Sequence, residues 1–299
     1  MSVLVVGSVA LDDVATPAGR ADGVLGGAAS YFSVAASFFE KVRAVGVVGE
    51  DFPAEHLEFL ASCGIDISGI ATEKGKTFRW GGVYSESMSE RETRFTELGV
   101  FEEFAPELGA AHRGSEFVFL ANIHPSLQLQ IVEQADSPRF VAMDTMNFWI
   151  EGAPAELERV LARVDALVIN DEEARQLSGE HNLVLAAAAL RGRGPATVII
   201  KRGEHGCLLF GPDQVFSAPA YPLEVVRDPT GAGDCFAGGF LGALARAGDL
   251  SPEAFRRAVI YGSVVASFCC EHFSLGGLRD LSIEAIESRF EEFRSLTRF

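Results

Sequence analysis

Basic side chains are scarce in this sequence. Its 299 residues include 25 Lys and Arg against 42 Asp and Glu, which gives a formal net charge of −17 at pH 7. A surface this acidic repels anionic lipids and the phosphate backbone of nucleic acids, so we expect neither a membrane nor nucleic acid as a partner. An anionic ligand would therefore have to be held by local donors such as backbone N–H groups, Lys, Arg or a metal ion.

Cysteine is also rare, and long apolar runs are missing. The five cysteines form no C-x-x-C pair, and the adjacent Cys269 and Cys270 are poorly placed to bridge each other. This usage predicts reduced thiols that serve as small apolar residues, and hence a cytoplasmic protein. The N-terminal stretch MSVLVVGSVALDD has no basic leader, and its apolar run is too short to span a bilayer, so we interpret it as a buried first strand.

Short β-branched runs alternate with helical patterns along the chain. Six apolar runs are predicted strands: residues 3–9, 42–48, 117–123, 140–144, 166–170 and 197–201. Most are continuously apolar, as expected where helices cover both faces of a parallel sheet. The pattern predicts an α/β fold with a doubly wound, mostly parallel sheet flanked by helices, and one domain over residues 1–299.

This rhythm breaks between about residues 64 and 97. The stretches IDISGIAT, KTFRWGGVYS and ERETRFTE are polar and alternating, with many Thr and aromatic residues and no helical period. They predict a small β-rich insertion that forms a lid over a site at the carboxyl edge of the sheet. An edge extension or a dimer surface is the alternative, and the two interpretations are compatible.

The stretch DPTGAGD, residues 228–234, directly precedes an apolar helix. A Gly-Ala-Gly turn carries no bulky side chain to keep an anion from the free N–H groups at a helix N-terminus, which predicts a phosphate cradle. Asp234 is then either a carboxylate that complements the helix dipole or a general base aimed at a hydroxyl beside the phosphate. The loop is neither a Walker A sequence nor a G-x-G-x-x-G dinucleotide fingerprint, which argues against a Rossmann dehydrogenase.

DPTGAGD followed by a small-residue helix resembles the second signature of the ribokinase-like (PfkB) family of carbohydrate and nucleoside kinases. The resemblance implies that Asp234 is the catalytic base and that the N–H groups of Gly231, Ala232 and Gly233 stabilise the transferring phosphoryl group. It implies further that Asp228 and Thr230 belong to the ATP-binding loop.

Two stretches near the N-terminus match the family's acceptor site. Asp12, in GSVALDD, corresponds by spacing to a substrate-binding Asp, with Asp13 as the adjacent candidate. LGGAASYFSVAASFF resembles the first signature, in which Gly26 and Gly27 would bring backbone N–H groups to substrate hydroxyls. The ribokinase version has Asn where this chain has Tyr31, so Tyr31 makes either a less polar substrate contact or a packing contact.

Two later stretches match the nucleotide site. INDEEARQLSG resembles the family's N-x-x-E motif, in which Asn170 and Glu173 organise Mg²⁺ through water; a helix cap with first-turn acids is the alternative. VIIKRGEHGCLLF resembles the strand and turn that pass the nucleotide. Lys201, Arg202 and Gly203 are candidates for contacts near the phosphates or the ribose, and Arg202 is alternatively a solvated surface charge.

The resemblance implies transfer of the γ-phosphoryl of ATP to a hydroxyl, with Mg²⁺ and, in some family members, a monovalent cation. We expect an unphosphorylated sugar, polyol or cyclitol as acceptor; the alternatives are a nucleoside, or a catalytically weak ligand-binding protein. A homodimer through the lid is also expected. Further candidate ligand contacts lie in the lid and after two strands: Phe78, Arg79, Trp80, Tyr84, Arg91, Arg94, Phe95, Asn122, His124, Asp144, Asn147 and Trp149.

Overall fold

A computed structural model describes residues 1–88 and 90–298. These residues form thirteen strands: β1 Ser2–Val6, β2 Ala10–Thr16, β3 Gly19–Gly26, β4 Lys41–Gly49, β5 Asp66–Glu73, β6 Arg79–Tyr84, β7 Arg91–Glu97, β8 Phe117–Leu120, β9 Phe140–Met143, β10 Ala166–Asn170, β11 Thr197–Lys201, β12 Cys207–Gly211 and β13 Gln214–Ala218. They also form twelve α-helices: α1 Ala28–Ser37, α2 Ala54–Ser62, α3 Ala110–Arg113, α4 Pro125–Gln134, α5 Asn147–Gly152, α6 Pro154–Leu161, α7 Asp171–Ser178, α8 Leu183–Arg191, α9 Ala232–Ala247, α10 Pro252–Cys270, α11 Gly276–Arg279 and α12 Ile283–Leu296. Two short 3₁₀ helices lie at Gly99–Glu103 and Gly203–His205.

The main sheet has nine strands in the order β13-β12-β11-β10-β9-β8-β1-β4-β5. Seven neighbouring strands of this sheet run parallel: β5, β4, β1, β8, β9, β10 and β11. At the edge beyond β11, β12 and β13 continue the sheet antiparallel. The predicted doubly wound, mostly parallel sheet is confirmed.

Both faces of this sheet are buried at its centre, where β1, β8 and β9 are buried at every position. In β1, Val3 and Val5 face one core, which α1, α9, α10 and α12 complete. Leu4 and Val6 face the opposite core, which contains residues of α4, α6 and α8. This two-sided burial explains why the strands read as continuous apolar runs.

A second sheet of four strands, in the order β3-β2-β6-β7, stands apart from the main sheet in the strand pairing. We call these four strands the lid sheet. β2 pairs antiparallel with β3 and parallel with β6, and β6 pairs antiparallel with β7.

The composition of the lid sheet differs from the insertion expected over residues 64–97. β5, which lies inside that range, pairs parallel with β4 at the edge of the main sheet, so it does not belong to the lid sheet. Half of the lid sheet is instead the β2–β3 hairpin near the N-terminus. A strand at the edge of the main sheet is half exposed, as a lid strand is. The polar alternation of β5 therefore did not show whether it belongs to the main sheet or to the lid sheet.

Most of the predicted site residues lie where β1 and β8–β11 end and α9 begins, at the carboxyl edge of the parallel strands. Ligands of open α/β sheets bind at this edge. The five cysteines are free thiols, and three of them are buried. Among residues 1–88 and 90–298, no helix combines the length and apolar character needed to cross a lipid bilayer.

Candidate active site

The glycine-rich loop turns the chain sharply into α9. Gly231 caps the helix at a φ of 74°, a left-handed conformation that favours glycine. A Cβ on Gly231 would also lie 2.3 Å from the Tyr31 ring. Asp228 holds the loop from beneath, because its carboxylate accepts hydrogen bonds from the N–H of Thr230 at 2.8 Å and of Ser274 at 3.1 Å.

The loop leaves backbone donors free at the positive end of α9. In the part of the chain that the structure describes, the N–H groups of Gly231, Gly233 and Asp234 have no protein acceptor. Free donors together with the helix dipole make an anion-binding position. The cradle predicted from DPTGAGD therefore has the geometry to hold phosphate oxygens.

Asp234 lies in the first turn of α9, partly exposed beside these donors. Burial raises the pKa of its carboxyl to about 7; Asp144 adds to the rise, and Lys201 and Arg91 oppose it. A carboxyl with a pKa near neutral pH is suited to accept a proton during a reaction.

Lys201 places a positive charge under the loop. Its ammonium lies 3.3 Å from the Asp144 carboxylate, and a Cβ on Gly233 would come within 3.0 Å of the same nitrogen. Burial alone would lower the pKa of Lys201, but Asp144, Glu173 and Asp234 raise it, so the side chain stays charged. We call Asp144, Glu173 and Asp234 the carboxylate cluster.

Asn170 and Glu173 form a reciprocal cap at the start of α7. The Asn170 side chain accepts from the Glu173 N–H at 2.8 Å, and the Glu173 carboxylate accepts from the Asn170 N–H at 3.0 Å. Burial, followed by Asp144, raises the pKa of Glu173 to about 7. The helix cap weighed in the sequence analysis is thus present, while the second Glu173 oxygen makes no capping bond.

This donor set fits a magnesium ion that is held mostly by nucleotide and water. Within residues 1–88 and 90–298, no three His, Cys, Asp or Glu side chains are arranged to hold a metal ion by themselves. Mg²⁺ keeps several waters and commonly uses one or two carboxylates plus substrate phosphates. Glu173, with the Asn170 amide beside it, would supply hard oxygen ligands of that kind.

Asp12 lies against the Gly-Gly pair. Asp12 is 4% exposed, and a Cβ on Gly26 would lie 2.1 Å from its carboxylate, so glycine is required for the carboxylate to fit. Burial raises the pKa of Asp12 to about 8, with Asp228 and Asp234 adding to the rise and the N–H of Gly27 opposing it.

The neighbouring Asp13 points to the other face of β2. Its carboxylate accepts from the Gly23 N–H at 2.7 Å and pairs with Arg79 at 3.0 Å. Arg94 pairs instead with Glu92 at the surface. Each of these two arginines, both candidate ligand contacts, therefore has a carboxylate partner of its own.

Tyr31 packs behind the loop. It is 1% exposed, its ring lies against Gly231, and its hydroxyl has no hydrogen-bond partner in the described part of the chain. The packing interpretation of Tyr31 matches this position better than a substrate contact does.

The lid sheet reaches the loop directly. Thr230 donates a hydrogen bond from its hydroxyl to the Tyr84 hydroxyl at 3.1 Å. The Trp80 ring lies across Gly82, and the Arg91 guanidinium lies 5.1 Å from the centre of that ring. These three lid side chains share one region beside the glycine-rich loop.

Other predicted contacts fall elsewhere. Arg202 donates to the carbonyl of His205 at 2.7 Å within the 3₁₀ turn that Gly203 begins at a φ of 52°. Trp149 donates to Asn122 at 2.9 Å, so these two side chains satisfy each other. The remaining candidates have local roles or no special contact: Phe78 stacks on Phe101, Phe95 packs on Gly81, His124 caps α4, and Asn147 is exposed.

Sequence reasoning missed the pairing of Lys201 with Asp144. The available signal was positional, because both Lys201 and Asp144 stand at the end of a predicted strand. Parallel strands bring such residues to one edge of the sheet.

Comparison with known proteins assigns the chain to a family. Residues 11–278 match the pfkB family of carbohydrate kinases. The chain is 32% identical to the cytidine kinase of Thermococcus kodakarensis over 82% of this chain and 89% of that one. It is 29% identical to a nucleoside kinase of Methanothermobacter thermautotrophicus over 82% and 78% of the two chains. A fructokinase of Klebsiella pneumoniae is 38% identical over 31% of this chain and 30% of its own.

Solved structures share the fold over nearly the whole chain. The Methanocaldococcus jannaschii nucleoside kinase, an archaeal member of the ribokinase family, has a TM-score of 0.78 at 21% identity and covers 97% of this chain and 98% of its own. The Burkholderia thailandensis nucleoside kinase in complex with inosine has a TM-score of 0.77 at 20% identity, with 98% and 99% covered. A putative ribokinase II from E. coli, in complex with ATP and Mg²⁺, has a TM-score of 0.78 at 20% identity, with 97% and 99% covered.

Proposed function

The chain belongs to the pfkB family of carbohydrate kinases, and from that membership we propose that it transfers the γ-phosphoryl of ATP to a hydroxyl of a nucleoside. The observation that carries the phosphoryl transfer is the position of Asp234, whose pKa is raised to about 7 beside the free N–H groups of the loop. An acceptor alcohol must lose its proton as it attacks, and this carboxylate is placed to take it.

We propose the nucleoside, the alternative acceptor in the sequence analysis, in preference to the unphosphorylated sugar, polyol or cyclitol expected there. The cytidine kinase and the nucleoside kinase each align with 82% of this chain, whereas the fructokinase aligns with 31%. The register of the lid sheet adds support, because Asp12 lies directly beside Trp80 on the neighbouring strand. A carboxylate for ribose hydroxyls next to an aromatic ring for a planar base suits a nucleoside.

Each end of the proposed site has a distinct task. Asp12 would accept hydrogen bonds from neighbouring hydroxyls of the acceptor, and Asp234 would take the proton of the attacking hydroxyl. The N–H groups of the loop and the Lys201 ammonium would stabilise charge on the phosphoryl oxygens. Bound ATP would supply the phosphoryl group. Mg²⁺, held through Asn170 and Glu173, would offset the negative charge of the phosphates.

A free sugar or polyol is the second candidate acceptor. Asp12 recognises neighbouring hydroxyls, which sugars and ribosides have in common, so this contact alone does not distinguish the two classes. The monovalent-cation requirement and the homodimer through the lid also stay predictions.

The test is ADP release from Mg·ATP with a panel of nucleosides, sugars, polyols and cyclitols, using wild type and Asp234→Asn in parallel. We expect turnover with nucleosides, and a loss of roughly 10²–10⁴-fold in the variant with ATP affinity retained. Turnover confined to free sugars would exclude the nucleoside proposal. ATP binding without turnover on any acceptor would favour a ligand-binding protein on the kinase fold.

A further inference from the structure

One face of the lid sheet is turned toward the glycine-rich loop. Tyr84 marks this face, because its hydroxyl accepts the hydrogen bond from Thr230. Arg91 is the direct cross-strand partner of Tyr84 in the antiparallel pair of β6 and β7. Directly opposed residues of such a pair project from the same face of the sheet, so Arg91 also extends toward the loop.

Arg91 differs from the other arginines of the lid strands in its pairing. Arg79 pairs with Asp13 at 3.0 Å, and Arg94 pairs with Glu92 at 3.0 Å. Among the described residues, Arg91 has no carboxylate within 4.0 Å, and its guanidinium rests over the Trp80 ring. The guanidinium also interacts with the Tyr84 hydroxyl beside it. Because a guanidinium carries five N–H donors, others stay available for an anion.

Arg91 acts electrostatically on two members of the carboxylate cluster. Its charge lowers the pKa of both Asp234 and Glu173, which lie in the first turns of α9 and α7. Lys201, which pairs with Asp144, is another cation beside the same cluster. A polyphosphate entering here adds negative charge, and one ammonium does not balance it.

We propose that Arg91 is a phosphate-binding residue of the lid sheet, which donates hydrogen bonds to the terminal phosphate of the nucleotide and follows that phosphoryl group during transfer. The inference rests on the kinase chemistry of the proposed function, but not on the identity of the acceptor. In the reaction, the acceptor oxygen forms a bond to the terminal phosphorus and the bond to the bridging oxygen breaks, with its electron pair leaving on ADP. The hydroxyl proton goes to Asp234, and Arg91 stays protonated throughout.

This role gives a reason for the arrangement of the lid. A planar guanidinium presents several donors in a fixed geometry that suits phosphate oxygens, whereas an ammonium is a point charge. Because Arg91 and Trp80 lie in contact on the lid sheet, the same element would contact the acceptor and the phosphate. Acceptor binding and stabilisation of the transferring group would thereby be linked.

The test compares binding of two nucleotides, without any acceptor, in wild type, Arg91→Met, Arg91→Lys and Arg94→Met. Calorimetry with Mg²⁺ and the non-hydrolysable β,γ-imido analogue of ATP reports the terminal phosphate, and Mg·ADP is the matched ligand that lacks it. We expect Arg91→Met to weaken the analogue about tenfold while ADP affinity changes by less than a factor of two, since one charged hydrogen bond is worth about that much. Arg91→Lys should recover part of the loss, and Arg94→Met, a surface control, should match wild type.

The outcomes separate this proposal from the proposed function. Equal affinities of Arg91→Met and wild type for the analogue, in a protein that binds nucleotide, would overturn the role of Arg91 and leave the kinase function intact. A wild type that binds neither nucleotide would overturn both. A thermal melt of each variant shows whether the fold is retained. With an acceptor in hand, kcat of Arg91→Met should fall roughly 10²-fold, as when a transition-state donor is removed.

Discussion

At the scale of single residues, Asp234 as the proposed catalytic base would set a limit on the pH range of activity. Its pKa is raised to about 7 by burial and by Asp144, and only the ionised carboxylate can accept the proton of an attacking hydroxyl. We expect kcat/KM to fall about tenfold per pH unit below pH 7 and to level off above it. A pH–rate profile from pH 5 to pH 9 at saturating Mg·ATP measures this acidic limb, which is the fall in kcat/KM below pH 7.

Glu173 is the control for the assignment of that limb. Its pKa is also raised to about 7, so two carboxyls titrate in the same range. Glu173→Gln should lower the rate while the midpoint stays near pH 7, because the groups that shift Asp234 are Asp144, Lys201 and Arg91. A midpoint that moves by a full unit in Glu173→Gln would assign the limb to Glu173 instead.

The two adjacent acids Asp12 and Asp13 show what the sequence alone does not decide. Spacing selected Asp12 as the acceptor ligand but left Asp13 as a candidate. The alternation of side chains along β2 separates them, since Asp12 is buried toward Gly26 and Asp13 pairs with Arg79 on the other face. The start of the strand would have to be known within one residue to predict this from sequence.

At the scale of secondary structure, the central strands were predictable and the lid only in part, since β6 and β7 lie within the predicted insertion over residues 64–97. The strands at residues 166–170 and 197–201 were predicted with the bounds that the structure has, because buried parallel strands are apolar throughout. The hairpin of β2 and β3 escaped prediction, since the apolar run to residue 9 continued past the actual end of β1 at Val6. Short polar strands carry little periodic signal, and their partners are distant in sequence.

The phosphate end of the site was predicted as a set of motifs but not as an arrangement. DPTGAGD and Asn170 with Glu173 each carry a local pattern. The contact between Lys201 and Asp144 joins residues that are 57 positions apart in the sequence. The register that places Arg91 opposite Tyr84 depends on the pairing of β6 with β7 in the lid sheet. Such contacts depend on tertiary packing, for which local propensity gives no information.

The hydrogen bond between Tyr84 and Thr230 links the lid sheet to the loop, and Tyr84→Phe removes it. We expect the acceptor KM to rise up to about tenfold with a smaller change in kcat, because one neutral hydrogen bond contributes about 0.5–1.5 kcal/mol. Steady-state kinetics on the acceptor measure the effect. Tyr221→Phe is the matched control, since the Tyr221 hydroxyl bonds to Glu292 on α12 at the surface. Equal kinetics of the two variants would show that the bond does not support the acceptor site.

At the scale of the whole molecule, the site concentrates negative charge in a chain that is already acidic. Asp12, Glu173 and Asp234 are held in surroundings that disfavour their ionised forms, and the formal net charge of the chain is −17. The free protein therefore carries an electrostatic cost that depends on pH.

That cost has a definite sign. Folding raises the pKa of Asp12 from 3.8 to about 8, of Asp234 from 3.8 to about 7 and of Glu173 from 4.5 to about 7. At pH values between the unfolded and the folded pKa of each carboxyl, the folded state binds more protons than the unfolded chain. The free energy of unfolding therefore falls as pH rises. The stabilising contribution of each protonated carboxyl is complete below about pH 4 and is lost as the pH rises through its folded pKa, about 7 for Asp234 and Glu173 and about 8 for Asp12.

We therefore expect the ligand-free protein to melt at a lower temperature at pH 8 than at pH 5.5, by on the order of 5 °C. Scanning calorimetry across this range measures the shift. Asp12→Asn removes the carboxyl with the largest rise, so its melting temperature should depend less on pH, with the difference from wild type growing toward pH 8. A wild-type melting temperature that rises from pH 5.5 to pH 8 would contradict the raised pKa values. It would then follow that these carboxyls are ionised at neutral pH in the free protein, and Asp234 would be too weak a base for the proposed role.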